Sequence, residues 1–561
     1  MFQQNLEPVG DSLALSALCG AIPLVTLFVL LGGLRVRAWV AGLVSLGVAL
    51  VVAIALFEMP VDQALLAGTE GAAFGFFPIL WIVINAIWVY NLTVESGHFD
   101  VLRRSFEKVS ADQRIQAIII AFCFGALLEA LAGFGTPVAI TVVMLMALGF
   151  EPIKAAAVAL IANTAPVAFG ALATPIVTLA TVTSGASDDP RLDVDTLGAM
   201  VGRQTPILAL VVPLILVLVV DGRRGVRRTW PAALVCGVAF GLAQFVAANY
   251  ISVQLADIVA SLVAAAAVVL LLQVWSPREE LLATAATTDS PPAGRPSAGG
   301  STAVATRPQV DTRGDVIRAY APYAVIIVIF SITNITAVKE ALAKEPWTRL
   351  FAWPGLEVLN PAGDPVATTT YAFNWLPAAG TLMVLAGIVT AVILRVSPGA
   401  ALRAYGRTYV ELRTAIVTVM AVLALAYVMN LSGQTSSLAA WLAGAGGAFA
   451  LISPILGWIG VAVTGSDTSS NALFGGLQVQ TAAKAGLDPV LMAAANSSGG
   501  VLGKMVSPQN LAIAAAAVGM AGKEGDILRT VLLWSLVLLV VMCAIVGLQA
   551  TPVLDWMVPG P

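Results

Sequence analysis

Two acidic residues stand where an apolar chain can least tolerate them. Glu129 lies inside the apolar run 122–134, and Asp467 follows Thr464-Gly465-Ser466 within a second apolar stretch. A carboxyl at membrane depth is costly and marks a bundle interior, a partner or a proton path. Water-poor surroundings favour its neutral form, so either acid could take up a proton near neutral pH and release it after reorientation, as proton coupling requires. Plainer readings stay open: Glu129 as half of a fixed ion pair with an Arg or Lys, Asp467 as a helix N-cap. Glu129 is the preferred proton carrier.

Around these acids four polar segments interrupt apolar helices. They are Gly133 to Pro137, with Gly135 and Thr136; Asn163 to Pro166, with Asn163 and Thr164; Thr464 to Asn471, with Ser466, Thr468, Ser469, Ser470 and Asn471; and Asn496 to Gly500, with Asn496, Ser497 and Ser498. A broken helix exposes unpaired backbone N–H groups and a positive dipole end, which can hold a carboxylate without a fully buried cation. The same residue types also build helix-packing seams, but the density of Asn, Ser and Thr points to binding. Lys504 is either a partner for a substrate carboxylate or an anchor toward the cytoplasmic end of its segment. His98, the only histidine, reads as an interfacial residue.

Other chemistries lack their residues. The sequence holds no His-Glu-x-x-His helix and no Gly-x-Ser-x-Gly elbow, and Gly503-Lys504 continues to Met505 instead of the Ser or Thr of a phosphate loop. Cys19, Cys123, Cys236 and Cys543 are scattered without metal or redox spacing. An enzyme, an ATP-driven pump, a metal and a cofactor are therefore not expected, and no basic face suggests nucleic acid.

The elements that must position these residues are transmembrane helices. Hydrophobic residues make up 59% of 561 and charged residues 11%, more apolar surface than a soluble core could hide. Runs long enough to cross ~30 Å of hydrocarbon start near Leu13, Ala38, Gly71, Gln204, Pro231, Gln254, Tyr320, Asn374, Arg413 and Ile527. With the interrupted regions 115–182 and 437–520, the expected fold is an all-α polytopic membrane protein of about 12 to 14 helices, some broken or re-entrant.

Loop charges set the orientation. Basic loops at Arg35 and Arg37, Arg103 to Arg114, Arg223 to Arg228, and Arg403 with Arg407 should face the cytoplasm; acidic or mixed loops at Glu58 and Asp62, 187–195 and 339–364 should face outward. Both termini are then expected outside, and residues 1–12, which lack a signal-peptide pattern, should lead into a retained first span. The Ala-, Thr-, Ser- and Pro-rich stretch 276–317 reads as a flexible cytoplasmic linker between membrane halves 1–275 and 318–561.

The two interrupted regions resemble each other. Gly133-Phe134-Gly135-Thr136 aligns with Gly465-Ser466-Asp467-Thr468, and Gly149 to Pro152 with Gly486 to Pro489. Asn163 then aligns with Asn496, Gly170 with Gly503, and Thr174-Pro175 with Ser507-Pro508, at one constant offset. The charge rule brings the chain into the first region from the cytoplasm and into the second from outside, as in an inverted-repeat secondary transporter.

At these same residues the sequence resembles the L-lactate permease family. The matching runs are Gly125 to Glu129, Gly133 to Pro137, Ile161 to Gly170, Thr464 to Gly475, Ala495 to Gly500, Gly503 to Met505 and Ser507 to Gln509. Departures are Ala130-Leu131, where smaller residues are usual, Thr174 before Pro175, and the long linker. The resemblance implies a bacterial plasma-membrane carrier that imports L-lactate, with glycolate and D-lactate as further cargo, together with protons. A more distant likeness to the ion-transporter superfamily, a fold-level analogy, implies elevator motion and a homodimer. On this reading the Asn163 and Asn496 turns hold the carboxylate and hydroxyls near Thr468 meet the substrate hydroxyl. A sodium-coupled carrier of another small carboxylate, or a carboxylate channel, are the rival readings.

Overall fold

The computed structural model describes residues 1–133, 135–187, 189–277, 280–281, 311–520 and 523–560. Within them ten helices are long and apolar enough to cross a membrane, or eleven when the bent pair Pro152–Ala162 and Val167–Thr183 counts as one span. The chain is a multi-pass membrane protein. The lower number, against 12 to 14 expected, has a local cause. The segment Val194–Ile251 is two packed helices, 194–220 and 223–251, joined by a turn at Asp221 and Gly222 where the backbone leaves helical geometry, and a Cβ on Gly237 would lie 2.5 Å from the Leu210 carbonyl oxygen. Two further apolar helices, Thr136–Ala147 and Ala379–Ile393, are shorter than a full crossing.

Helix starts follow the local chemistry. Ser397-Pro398, Asp488-Pro489 and Ser507-Pro508 each pair a side-chain N-cap with a proline in the first turn, where its missing N–H costs nothing. Thr312 and Asp315 form a capping box that starts helix Arg313–Thr333, so the far end of the expected linker is already helical; residues 278–279 and 282–310 of that stretch lie outside the described residues.

The interrupted regions form two similar modules. In the first, α1 (Gln113–Leu131) and α2 (Thr136–Ala147) make a hairpin that returns to its starting end, Gln113 Nε2 donating to the Leu148 carbonyl at 3.4 Å. After it come α3 (Pro152–Ala162) and α4 (Gly170–Thr183), with an unwound turn between them. In the second, α5 (Phe449–Thr464) and α6 (Asp467–Ala485) form the hairpin, Gln478 Nε2 donating to the Ser453 carbonyl at 3.0 Å, and α7 (Pro489–Gly503) leads into α8 (Pro508–Ala517). Gly135 (φ +87°) and Gly465 (φ +76°) carry the hairpin tips in a left-handed conformation that glycine adopts without cost.

Loops separate to two ends of the bundle by charge. At the basic end Arg104 pairs with Asp311, and buried Arg114 pairs with Asp112 and Asp221. At the other end Gln63 binds the backbone of Gly355 and Glu357, and the first strand, Phe2–Gln3, runs parallel to Val358–Leu359. A second small sheet pairs Arg349–Ala352 with Thr370–Phe373, so the loop 339–364 contributes strands to an otherwise helical fold.

Also at this end Arg191 joins the halves, donating to Asp189 at 2.6 Å and to Asp488 at 2.9 Å. Its hydrogen bond to Asp189 holds that carboxyl below the usual range, opposed by burial. A depressed carboxyl stabilises the fold above the unfolded-state value and loses that contribution as pH falls through the folded one. Arg191→Ala is therefore expected to lower the melting temperature in detergent at neutral pH, with the gap from the parent protein closing in acid. A gap that widens in acid would contradict the bridge.

Candidate functional site

Both hairpin tips converge on α8. A Cβ on Gly135 would lie 2.3 Å from Ile513 Cδ1, and one on Gly465 would lie 2.7 Å from Gln509 Oε1. Between them sits a cavity of about 50 Å³ whose wall includes Glu129, Gly133 and Thr174 from the first module and Asp467, Thr468 and Lys504 from the second. Its charged centre is an ion pair: Lys504 Nζ lies 2.6 Å from Glu129 Oε1, with Lys504 6% and Glu129 3% exposed. Asn163 Nδ2 donates to the other oxygen of Glu129 at 2.9 Å, which ties the unwound turn of the first module to the pair. Lys504 is thus buried and paired with a carboxyl of the other module.

Asp467 forms the second pole. Ser466, whose side chain accepts from the Ser469 N–H, is the N-cap of α6, which leaves the Asp467 carboxylate free for other partners. It accepts from Ser497 Oγ at 2.6 Å and Asn471 Nδ2 at 3.4 Å. Asn496 Nδ2 donates to Asn471 Oδ1 at 2.9 Å, and Asn471 Nδ2 reaches across to the Pro175 carbonyl at 3.1 Å. Asp467 Oδ1, Asn163 Oδ1 and Ser498 Oγ are buried without a hydrogen-bond partner, an uncommon state for buried polar atoms.

The remaining predicted residues divide. Ser466 and Thr468 line the small cavity, and Ser466 and Ser469 also line a much larger one of about 810 Å³. That cavity extends past Arg35, Arg37 and Glu524 at the basic end and shares Ser466 and Gln509 with the small one. Thr164 and Ser470 are spent on packing, their hydroxyls donating to the carbonyls of Ile161 at 2.7 Å and Gly457 at 3.1 Å. Gly135 shapes a tip, and Thr136 starts α2 half-buried, outside the cavity wall. Not among the predicted site residues were Gly170, where a Cβ would lie 2.9 Å from Glu129 Oε1, and the wall residues Thr174 and Gln509. Each carried a signal: Gly170 and Thr174 in the repeat alignment, and Gln509 in the matched run Ser507 to Gln509.

Helices that break beside a buried, charge-bearing cavity, inside a bundle of apolar spans, define a membrane transport protein. The chain belongs to the L-lactate permease family, whose model matches residues 16–553. It is 39% identical to the L-lactate permease of Bacillus subtilis (strain 168), over 99% of each chain, and 42% identical to the glycolate permease GlcA of Escherichia coli (strain K12), over 98% of each. Among solved structures, MtrF of Neisseria gonorrhoeae aligns with 86% of this chain and 82% of its own at 13% identity and a TM-score of 0.46.

Proposed function

We propose that the protein is a secondary carrier that imports L-lactate, with glycolate and D-lactate as further substrates, by proton symport across the bacterial plasma membrane. The observation that carries this reading is the buried Lys504–Glu129 pair at the wall of the cavity. In the empty carrier Glu129 satisfies Lys504. When Glu129 takes a proton the lysine loses its counter-charge, and a substrate carboxylate replaces it, helped by the positive N-terminal end of α6. The substrate then enters only with a proton, and the reloaded site is as neutral as the empty one. Asp467, with its unpartnered oxygen, is the second proton-coupling candidate.

The basic end faces the cytoplasm and both termini face outward, in keeping with the charge rule. The modules α1–α4 and α5–α8 act as inverted repeats around the site. Names of relatives that include both L-lactate and glycolate permeases support the substrate class.

The test is uptake of labelled L-lactate into sodium-free proteoliposomes with an inward proton gradient. Accumulation that a protonophore collapses is expected. Glu129→Gln should lose accumulation yet retain lactate exchange, because a neutral glutamine leaves Lys504 open to substrate at every pH. Accumulation by Glu129→Gln equal to the parent would reject the coupling role. A sodium-coupled reading draws on the buried orphan oxygens of Asp467 and Ser498, which could ligate a cation; uptake that appears only when sodium is restored would favour it.

A further inference from the structure

Beside the site lies a buried acid that the symport scheme leaves unused. Asp257, in the first turn of helix Ala256–Val274, is 1% exposed. Its Oδ1 accepts from Gln244 Nε2 at 2.9 Å, while Oδ2 is buried without a partner. Gln244, on the return limb of the 194–251 hairpin, is also fully buried. Its Nε2 makes a second, longer bond of 3.3 Å to the Ala165 carbonyl, and its Oε1 accepts from Thr205 Oγ1 at 3.3 Å. Ala165 belongs to the unwound turn whose Asn163 holds Glu129. A connected path therefore runs from Asp257 through Gln244 and the 163–166 turn to the ion pair.

The two charge states of Asp257 ask different things of this path. A neutral acid is a modest acceptor and lets Gln244 divide its two amide hydrogens between Asp257 and Ala165. A carboxylate, with one donor for two oxygens, is a stronger acceptor that competes for both hydrogens. The bond to Ala165, already the longer, is the one such competition breaks. Glu129 and Lys504 both act on Asp257 electrostatically. On the elements packed against its helix the other titratable groups are Cys123, Cys236, Tyr250, and, on the 194–251 hairpin, Asp195, Arg203, Asp221 and the arginines 223–228. Asp221 and those arginines lie at the turn of the hairpin; Arg203 is held by Asn249 and the Met557 carbonyl.

We propose that Asp257 is a proton-responsive positioning residue: by gaining or losing a proton it sets, through Gln244, whether the Asn163–Pro166 turn stays closed on Glu129. The proposal rests on the transport reading for its purpose, but its test does not need substrate. Amide hydrogen exchange across residues 162–169 is followed in the purified full-length protein as pH rises, corrected for the intrinsic pH dependence of exchange. In the parent protein protection of the turn should fall by about three- to tenfold, the worth of one net hydrogen bond. Asp257→Asn, which mimics the neutral acid, should hold the turn protected throughout, and Asp257→Glu should restore the pH dependence. Superimposable profiles for the parent and Asp257→Asn would overturn the proposal, as would equal loss of protection at all pH values in both variants, the mark of a purely structural residue. Lactate counterflow by the same samples separates the two readings: absence of counterflow in the parent counts against lactate carriage while the exchange profile still decides the role of Asp257.

Discussion

Replacing Lys504 with glutamine is expected to abolish both lactate accumulation and lactate exchange. Lys504 is the cation at the wall of the small cavity, and without it Glu129 keeps only Asn163 as a polar partner. Breaking a buried pair by removing one member costs about 3–5 kcal/mol, because the remaining charge is left uncompensated. A loss of that size in substrate binding is a factor of roughly 10² to 4 × 10³ in affinity. The contrast with Glu129→Gln is the informative part: that variant keeps the lysine and should keep exchange. The double variant Glu129→Gln/Lys504→Gln, with both charges gone, should regain thermal stability without regaining transport. Exchange at the parental rate by Lys504→Gln would remove the lysine from the site.

The second large effect concerns assembly. Along the seam between α5 and α7 the backbones touch: a Cβ on Gly457 would lie 1.9 Å from the Asn496 carbonyl oxygen, and one on Gly499 would lie 2.2 Å from that of Pro454. Small residues allow such close approach between membrane helices. Gly457→Ala must push α7 away, and with it Asn496 from its 2.9 Å bond to Asn471. Overpacking commonly costs about 1–3 kcal/mol, and here the obstructing atom is backbone that cannot rotate aside, which puts the cost at or above the upper end. Gly457→Ala should yield little monodisperse protein on size-exclusion chromatography. Gly406→Ala is the control: nothing lies within 4 Å of its added methyl in helix Pro398–Ser432, and it should purify like the parent. Normal behaviour of Gly457→Ala would mean the seam is looser than drawn.

Both acids in the cavity wall were legible as acids in apolar runs, and the breaks beside them as glycine and asparagine turns, because each departs from a strong hydropathic background. The partner of Glu129 was not, since Lys504 lies 375 positions away and nothing local ties the two. The partners of the hydroxyls were not legible either: Thr164 and Ser470 donate to backbone carbonyls, while Ser497 donates to Asp467. Asp257 escaped notice because it begins an ordinary apolar span, and its meaning comes from Gln244 on a separate helix. The two spans starting near Gln204 and Pro231 and the basic turn between them were legible as well, and the structure puts that turn at Asp221 and Gly222.

The backbone at the start of α4 reverses hand. Ala171, Leu172 and Ala173 have φ of 44°, 55° and 58°, three left-handed residues in succession with no glycine among them. Each costs roughly 1–2 kcal/mol against its right-handed form. The sum is comparable to the ~5.5 kcal/mol that carries a two-state population from one per cent to ninety-nine. Ala171 lies in the cavity wall next to Gly170, where any side chain would meet the Glu129 carboxyl. A chain that held glycine at these three positions would rest there without tension; this one is wound like a spring at the edge of its own cavity.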